Sequence, residues 1–370
     1  MNRQKHRRII ISGGGTGGHV FPAISIANAL KRIDQDTEIL FVGAEDRMEM
    51  KMVPEAGYRI KGLPVAGFRR GLNFRNISVI IKLFKSLMLA GKIIKEFKPD
   101  VAVGVGGYAS GPVLWKAARM KIPTLIQEQN SYAGVTNRIL AKKASTICVA
   151  YEGMEKYFPV EKIIKTGNPV RQNYENLENL RSEALAFFRL SNSSPVILIL
   201  GGSLGAGSIN NSLAGNLDKM ISSGCQWLWQ TGTDYYDKVN AMVSLSSGKS
   251  ISVHDFINRM DYAYAAADII VSRAGAGTIS ELCLVGKPVI LVPSQNVAED
   301  HQTKNALALT YKNAAMLVRD DDAEKHLVDT VISLVSNDDD RKFLSSNIKQ
   351  MAEKDADVRI AKEVIKLTGK

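Results

Sequence analysis

At 370 residues, 45% hydrophobic and 23% charged, the chain is too long for one ordinary core and globular in composition, so about two domains are expected. A net charge of +11 and a pI near 9.4 favour an anionic partner: a phosphorylated substrate, an anionic lipid surface or nucleic acid. The three cysteines, Cys148, Cys225 and Cys283, are isolated and offer neither a disulfide framework nor a C-x-x-C metal site, and no apolar run approaches the ~18 residues a membrane span needs.

The basic start, MNRQKHRRIIIS, has an apolar run too short for a signal peptide. Arg8 to Ser12 is a strand that runs into GGGTGGH, Gly13 to His19, before a helical stretch from Val20 to Ile33. Gly13, Gly15 and Gly18 formally satisfy G-x-G-x-x-G. Glu45 or Asp46, after the strand from Glu38 to Val42, stands where a dinucleotide enzyme keeps its ribose acid. Asp34-Gln35-Asp36 matches D-x-D, but it precedes that strand, at the wrong end of a sheet for a metal site, and is read as a turn.

Arg75 to Lys98 is helical. Lys82, Lys85, Lys92 and Lys95 share one arc, while Val79, Ile80, Leu83, Phe84, Leu87 and Ile94 cover an apolar arc wider than packing requires. Two readings follow. One is a packed helix with a solvated lysine face; the other is a membrane-surface patch of Val79, Ile80, Lys82, Leu83, Phe84 and Lys85, helped by Arg69, Arg70 and Arg75.

Asp100 to Val105 leads into a second glycine turn, GVGGYASGP, and further strands are expected near Pro123 and Thr146. Gly167-Asn168-Pro169-Val170-Arg171 forces an extended link, which sets domains at 1–167 and 168–345, with a charged C-terminal helix at 346–370. A Glu-rich helix is expected over Asn173 to Arg189, then strands near Val196, Gln226, Ile251, Asp268 and Pro288. Alternating strands and helices in both halves predict an α/β protein with two helix-covered parallel sheets.

Val196 to Leu200 runs into a third turn, GGSLGAG, and Asp268 to Ser272 into a fourth, Ala274 to Gly277, with a helix from Thr278 to Val285. Four such turns, two in each half, exceed what one dinucleotide fold uses. Two similar halves facing each other across a cleft account for them better. Thr278-Ile279-Ser280-Glu281 fits a capping box, so Glu281 either satisfies an orphan N–H or accepts both hydroxyls of a nucleotide ribose. Asp320 to Asp322 and Asp338 to Asp340 are expected to be solvated turns and helix caps. His254 ends a strand, His301 caps or lines the site, His6 and His326 are surface residues, and none makes a metal-ligand spacing with another.

Taken in order, GGGTGGHVFPAISIANAL, GVGGYASGP, QEQNSYAGVTNRILA, GNPVR, GGSLGA and RAGAGTISE, followed by Gln295 and the 300–306 segment, resemble the MurG family. Its members are the UDP-N-acetylglucosamine:N-acetylmuramyl-(pentapeptide) pyrophosphoryl-undecaprenol N-acetylglucosaminyltransferases of peptidoglycan synthesis. The resemblance spans nearly the whole chain. It implies a GT-B fold of two Rossmann-like domains, with the last helix, 346–370, crossing back to the first domain, and transfer of N-acetylglucosamine from UDP to the 4-hydroxyl of the muramoyl sugar of lipid I, with inversion, giving lipid II.

The same resemblance implies that Glu281 takes the ribose, Ile257 meets the uracil through its backbone, and Arg171 lies near the nucleotide. Ser203 and the turn Ala276, Gly277, Thr278, Ile279 and Ser280 would hold the diphosphate, while Thr16, Gly17, Gly18, Asn130 and Gln295 approach the sugar and leaving phosphate. His19 is the candidate general base, its alternative being a residue that only orients the glycine loop. The role of Arg273 stays open. Neither metal nor other cofactor is expected, since helix N-termini can stabilise departing UDP. The implied partners are UDP-N-acetylglucosamine, lipid I, the anionic cytoplasmic face of the bacterial inner membrane and cell-wall synthesis proteins. Nothing resembles a nucleic-acid-reading module. A UDP-N-acetylglucosamine epimerase of similar fold is the competing activity.

Overall fold

The computed structural model describes residues 6–65, 75–170, 174, 176–202, 205–246, 248–295 and 300–369, with the backbone alone at 75–78 and 80. Contacts divide the chain into two units, 1–171 with 353–370, and 172–352. The division falls at 352/353 rather than 345/346, because 345 lies inside a helix, Asp338–Gln350.

The first unit holds seven strands: β1 Arg8–Ser12, β2 Glu38–Ala44, β3 Arg59–Leu63, β4 Val101–Gly104, β5 Thr124–Glu128, β6 Thr146–Val149 and β7 Ile163–Lys165. Its helices are α1 Gly17–Ile33, α2 Glu49–Glu55, α3 Arg75–Phe97, α4 Ser110–Arg119 and α5 Val135–Ala141. The strands form one parallel sheet in the order β3-β2-β1-β4-β5-β6-β7, with Ile9 to Ser12 opposite Val101 to Gly104.

The second unit repeats the pattern with β8 Val196–Leu200, β9 Gln226–Gln230, β10 Ile251–His254, β11 Ile269–Ser272, β12 Val289–Leu291 and β13 Met316–Leu317. Between and after them lie α6 Arg181–Phe188, α7 Gly207–Ala214, α8 Leu217–Ser222, α9 Tyr236–Leu245, α10 Met260–Ala266, α11 Ala276–Val285, α12 His301–Thr310, α13 Ala323–Ser336 and α14 Asp338–Gln350. The order is β10-β9-β8-β11-β12-β13, all parallel. Renumbered from its own first strand, this is 3-2-1-4-5-6, the doubly wound order that the first unit also has before its extra seventh strand.

Alternation along each strand explains why both faces are covered. Ile9 and Ile11 pack with α1 on one side, Ile10 with α3, α4 and α5 on the other; Ile197 and Ile199 oppose Leu198 in the same way. α15, Ala356–Thr368, supplies Ile360, Ala361, Val364 and Leu367 to the first unit's core beside α1, and Asp357 pairs with Arg32. The sequence predicts a helix over Asn173 to Arg189. The structure has a 3-10 turn at Leu177–Leu180 and α6 only from Arg181, with 171–173 and 175 outside the described residues.

Asp34 to Asp36 forms the expected turn: the Asp36 amide donates to Asp34 Oδ1 at 3.1 Å, and Asp34 pairs with Arg7 at 2.6 Å. Among the described residues no helix is long and apolar enough to cross a membrane.

Candidate active site

In a doubly wound sheet the strand order reverses between its first and fourth strands, and the turns leaving these two strands open a crevice at the carboxyl edge. In the first unit these are the turns after β1 and β4, in the second those after β8 and β11. They are the four glycine turns of the sequence. Their spacing in the chain is explained by topology: each unit puts one pair at its own switch point.

In the first unit, Thr16 is the N-cap of α1, with extended φ and ψ of −145° and 157°. Its carbonyl accepts from the amides of His19 and Val20, both at 3.1 Å, and its Oγ1 lies 3.2 Å from His19 Nδ1. The His19 ring lies on Gly106 of the second turn, so closely that a Cβ there would fall 2.7 Å from Cδ2 and 2.8 Å from Nε2. A glycine is required at that position. Gly17 and Gly18 form the first turn of α1, so Thr16, Gly17, Gly18 and His19 are together at one corner.

Asn130 follows β5 and is held by Glu128, whose Oε1 accepts from its amide at 3.1 Å and its Nδ2 at 3.4 Å. Glu128 Oε2 also accepts from the Gly134 amide at 3.0 Å and Asn137 Nδ2 at 2.8 Å. Burial pushes the Glu128 carboxyl up from its ordinary range, and those hydrogen bonds pull the other way. Glu128 is the anchor of the QEQNSYAGVTN segment, a role that no local spacing in the sequence marks.

The first glycine turn holds a further residue that the sequence reading missed. Glu45 and Asp46, read as candidate ribose acids, are exposed. It is Glu49, at the start of α2, that reaches the turn, accepting from the Gly15 amide and from the Ala44 amide at 2.9 Å each. The signal was the acid-rich segment after β2; what hid it was the offset of a few residues.

In the second unit, Gly202 and Gly205 carry positive φ in the turn before α7. A Cβ on Gly205 would lie 2.3 Å from the Thr231 carbonyl oxygen. Ser203 lies outside the described residues, as does Arg171. The helix after β11 starts at Ala276 with Gly275 as N-cap, so Thr278 sits within its first turn and the capping-box reading of Thr278 and Glu281 is overturned. Glu281 instead accepts a hydrogen bond from the Tyr264 hydroxyl at 3.2 Å, and Tyr264 is fully buried against Tyr174. Burial raises the Tyr264 phenol well above its usual range, and the Glu281 carboxylate adds to this.

Ile257 and Ile279 turn their side chains into the core, so only their backbone is available to a ligand, and the Ile257 amide already donates to Gln230 Oε1 at 3.0 Å. Ala276, Gly277, Thr278 and Ser280 are half-buried on the first turns of α11, and Ser280 Oγ donates back to the Ala276 carbonyl at 3.0 Å. Gln295 is exposed beyond β12, where the Ser294 amide donates to Gln302 Oε1 at 2.9 Å; 296–299 lie outside the described residues.

Arg273 acquires a role. Its Nη1 donates to the Val292 carbonyl at 2.9 Å and to Asp320, and its Nη2 to Ser208 Oγ at 3.0 Å, while Ser208 donates to Asp320. Asp320 is therefore no solvated turn residue: it ties the ends of β11 and β12 to the start of α7. Asp338 to Asp340 do open α14, capped by Asn337, whose side chain accepts from the Asp340 amide.

On α3, Lys82, Leu83, Phe84 and Lys85 are exposed, Phe84 at 64%, and Ile81 and Met88 join them at 52% and 75%. Val79 belongs to the packed side, which corrects its place in the patch; the side chain of Ile80 and residues 69–70 lie outside the description. Among the described residues no group of three or more His, Cys, Asp or Glu is arranged to hold a metal.

Two doubly wound units, each with paired glycine turns at its switch point, define the GT-B class of nucleotide-sugar enzymes. The chain matches the glycosyltransferase family 28 N-terminal domain over residues 9–149 and the family's C-terminal domain over 196–360. It is 61% identical over 363 residues, 98% of this chain and 99% of the relative, to the UDP-N-acetylglucosamine--N-acetylmuramyl-(pentapeptide) pyrophosphoryl-undecaprenol N-acetylglucosamine transferase of Parabacteroides distasonis. The protein of that name in Phocaeicola vulgatus is 59% identical, over 99% of this chain and 98% of its own. The crystal structure of Acinetobacter baumannii MurG superposes with a TM-score of 0.79 at 26% identity, covering 97% of this chain and 99% of that one. A UDP-GlcNAc 2-epimerase from Neisseria meningitidis shares the fold at a TM-score of 0.69 and 15% identity, covering 97% and 100%. The chain belongs to glycosyltransferase family 28 and, within it, to the MurG family of N-acetylglucosamine transferases.

Proposed function

We propose that the protein transfers N-acetylglucosamine from UDP-N-acetylglucosamine to the 4-hydroxyl of the muramoyl sugar of lipid I, forming lipid II. The observation that carries this reading is the pair of switch-point turns in each unit, one pair bearing His19 and the other Glu281, in a chain over half identical, end to end, to transferases of that name. The epimerase shares only the fold, at 15% identity.

His19 Nδ1 faces Thr16 Oγ1, which leaves Nε2 as the basic nitrogen of the tautomer that donates from Nδ1. The acceptor hydroxyl oxygen attacks the anomeric carbon, its proton passes to Nε2, and the bond from that carbon to the diphosphate breaks on the opposite face with its electrons going to UDP. Inversion follows. Growing charge on UDP is met by amides at the starts of α7 and α11, and the ribose by Glu281. These donors make a metal unnecessary. On α3, Leu83, Phe84 and Met88 among Lys82 and Lys85 dock the enzyme on anionic lipid at the cytoplasmic face of the inner membrane.

The test is transfer of radiolabelled N-acetylglucosamine to a soluble lipid I analogue with EDTA present and an acceptor-free control. Acceptor-dependent product in EDTA is expected; slow conversion of the UDP-sugar alone would move the assignment to the epimerase, and activity restored only by Mg²⁺ would overturn metal independence. His19→Ala should lower kcat at least ~100-fold, and a loss below about tenfold would remove the base role. Phe84→Glu should weaken sedimentation with phosphatidylglycerol vesicles, and unchanged sedimentation would refute docking through this patch.

A further inference from the structure

A turn of this kind, between a strand and a helix N-terminus, ordinarily aims its amides at a ligand's anion. Here the chain supplies its own. The Glu49 carboxylate accepts from the Gly15 amide through one oxygen and from the Ala44 amide through the other, both at 2.9 Å, and Glu49 is 1% exposed. The fit leaves no slack: a Cβ on Gly14 would lie 2.0 Å from Oε1, and one on Gly43 2.6 Å from Cγ. Glu49 thus ties the turn after β1 to the end of β2.

The residue after Gly15 is Thr16, which caps α1 and meets His19 Nδ1 at 3.2 Å. From the other side the turn is backed by Gly107, whose Cβ position is 2.3 Å from the Gly14 carbonyl oxygen, and the imidazole by Gly106. With that side closed, the place of Thr16 depends on where Gly15 is held.

We propose that Glu49 is a positioning residue for the transfer, an internal anion seated in the first glycine turn that sets the Thr16–His19 pair in its working geometry. This rests on the reading of His19 as the base. A glutamine at 49 keeps one acceptor oxygen but turns an NH2 group toward the second amide, donor against donor. An alanine vacates both amides, and a small carboxylate can then enter.

The experiment measures kcat and the UDP-N-acetylglucosamine KM with a soluble lipid I analogue for the full-length wild type, Glu49→Gln, Glu49→Ala and His19→Ala, with circular dichroism as the folding control. Glu49→Gln should lower kcat about tenfold and Glu49→Ala ~30-fold or more, with the donor KM within about twofold of wild type, as expected for misplacing a base rather than losing donor contacts. Sodium formate should raise kcat of Glu49→Ala several-fold and leave the wild type and His19→Ala unchanged. A folded Glu49→Gln with kcat within about twofold of wild type overturns the proposal, as does a loss carried by the donor KM, or formate without effect on a folded Glu49→Ala. If Glu49→Ala does not fold, the kcat and KM of Glu49→Gln decide. Normal Glu49 variants beside an inactive His19→Ala would remove this proposal alone, whereas a wild type without acceptor-dependent product would remove the functional reading beneath it.

Discussion

Replacing Asp320 by alanine tests the tie at the carboxyl edge of the second sheet. Arg273 and Asp320 side chains are both 17% exposed, so the guanidinium would keep two neutral acceptors, the Val292 carbonyl and Ser208 Oγ, and lose its only charged one among the described contacts. Breaking a fully buried pair costs about 3–5 kcal/mol; with two hydrogen bonds kept and some solvent access, about 2–3 kcal/mol is expected here. For a unit of this size, ~1 kcal/mol moves a melting midpoint by roughly 2–4 °C, so scanning calorimetry should show a drop of about 5–10 °C. Asp320→Asn, which keeps an acceptor of the same shape, should lose about half of that. Because the tie also fixes the start of α7, the donor KM should rise in parallel. A midpoint for Asp320→Ala within about 1 °C of wild type, at unchanged m-value in urea, would refute the assignment of Asp320 as the anchor of Arg273.

If Glu281 accepts ribose hydroxyls through charge-assisted hydrogen bonds of about 1.5–3 kcal/mol, Glu281→Ala should raise the donor KM about 10- to 150-fold, and an unchanged KM would reject that role. Tyr264→Phe, which removes the hydroxyl 3.2 Å from Glu281, should show a smaller rise of the same kind. Burial lowers the His254 pKa against the opposing pull of Asp255, so the folded state binds this proton more weakly than the unfolded chain. Stability should be present above the unfolded value near 6.5 and fall as pH drops through the folded one, and His254→Gln should flatten the urea midpoint between pH 7 and 5. All three cysteines are buried, and burial pushes Cys148 up to about 12, so the native protein should resist a thiol reagent at pH 8 that labels it fully in guanidinium; rapid native labelling would contradict this packing.

Much of the fold was legible because its signals are local. Central strands such as Arg8–Ser12, through Ile9, Ile10 and Ile11, and Val196–Leu200 along its whole length, are buried on both faces and carry continuous apolar runs, and each glycine turn follows its strand directly. The strands that escaped notice, Arg59–Leu63, Ile163–Lys165 and Met316–Leu317, lie at sheet edges. With one neighbour and partial exposure they need no continuous apolar run. The capping box misled for a related reason. Its spacing permits a start at Thr278, but Gly275, with φ of −66° and ψ of 142°, takes the N-cap, and the helix begins before the motif.

The sequence by itself determined the two-unit α/β plan and the four glycine turns, with His19 and Glu281 close to two of them in the chain, since each depends on neighbours a few positions away. Tertiary structure alone decided which distant groups brace the elements within each unit. Glu49 meets a turn 34 residues earlier, Arg273 finds an acid 47 residues later, and Arg32 pairs with Asp357 across 325. Such pairs satisfy backbone amides and side-chain charges with whichever acid the fold brings within reach. The chain's linear order carries no mark of which one the parallel sheets bring to that place.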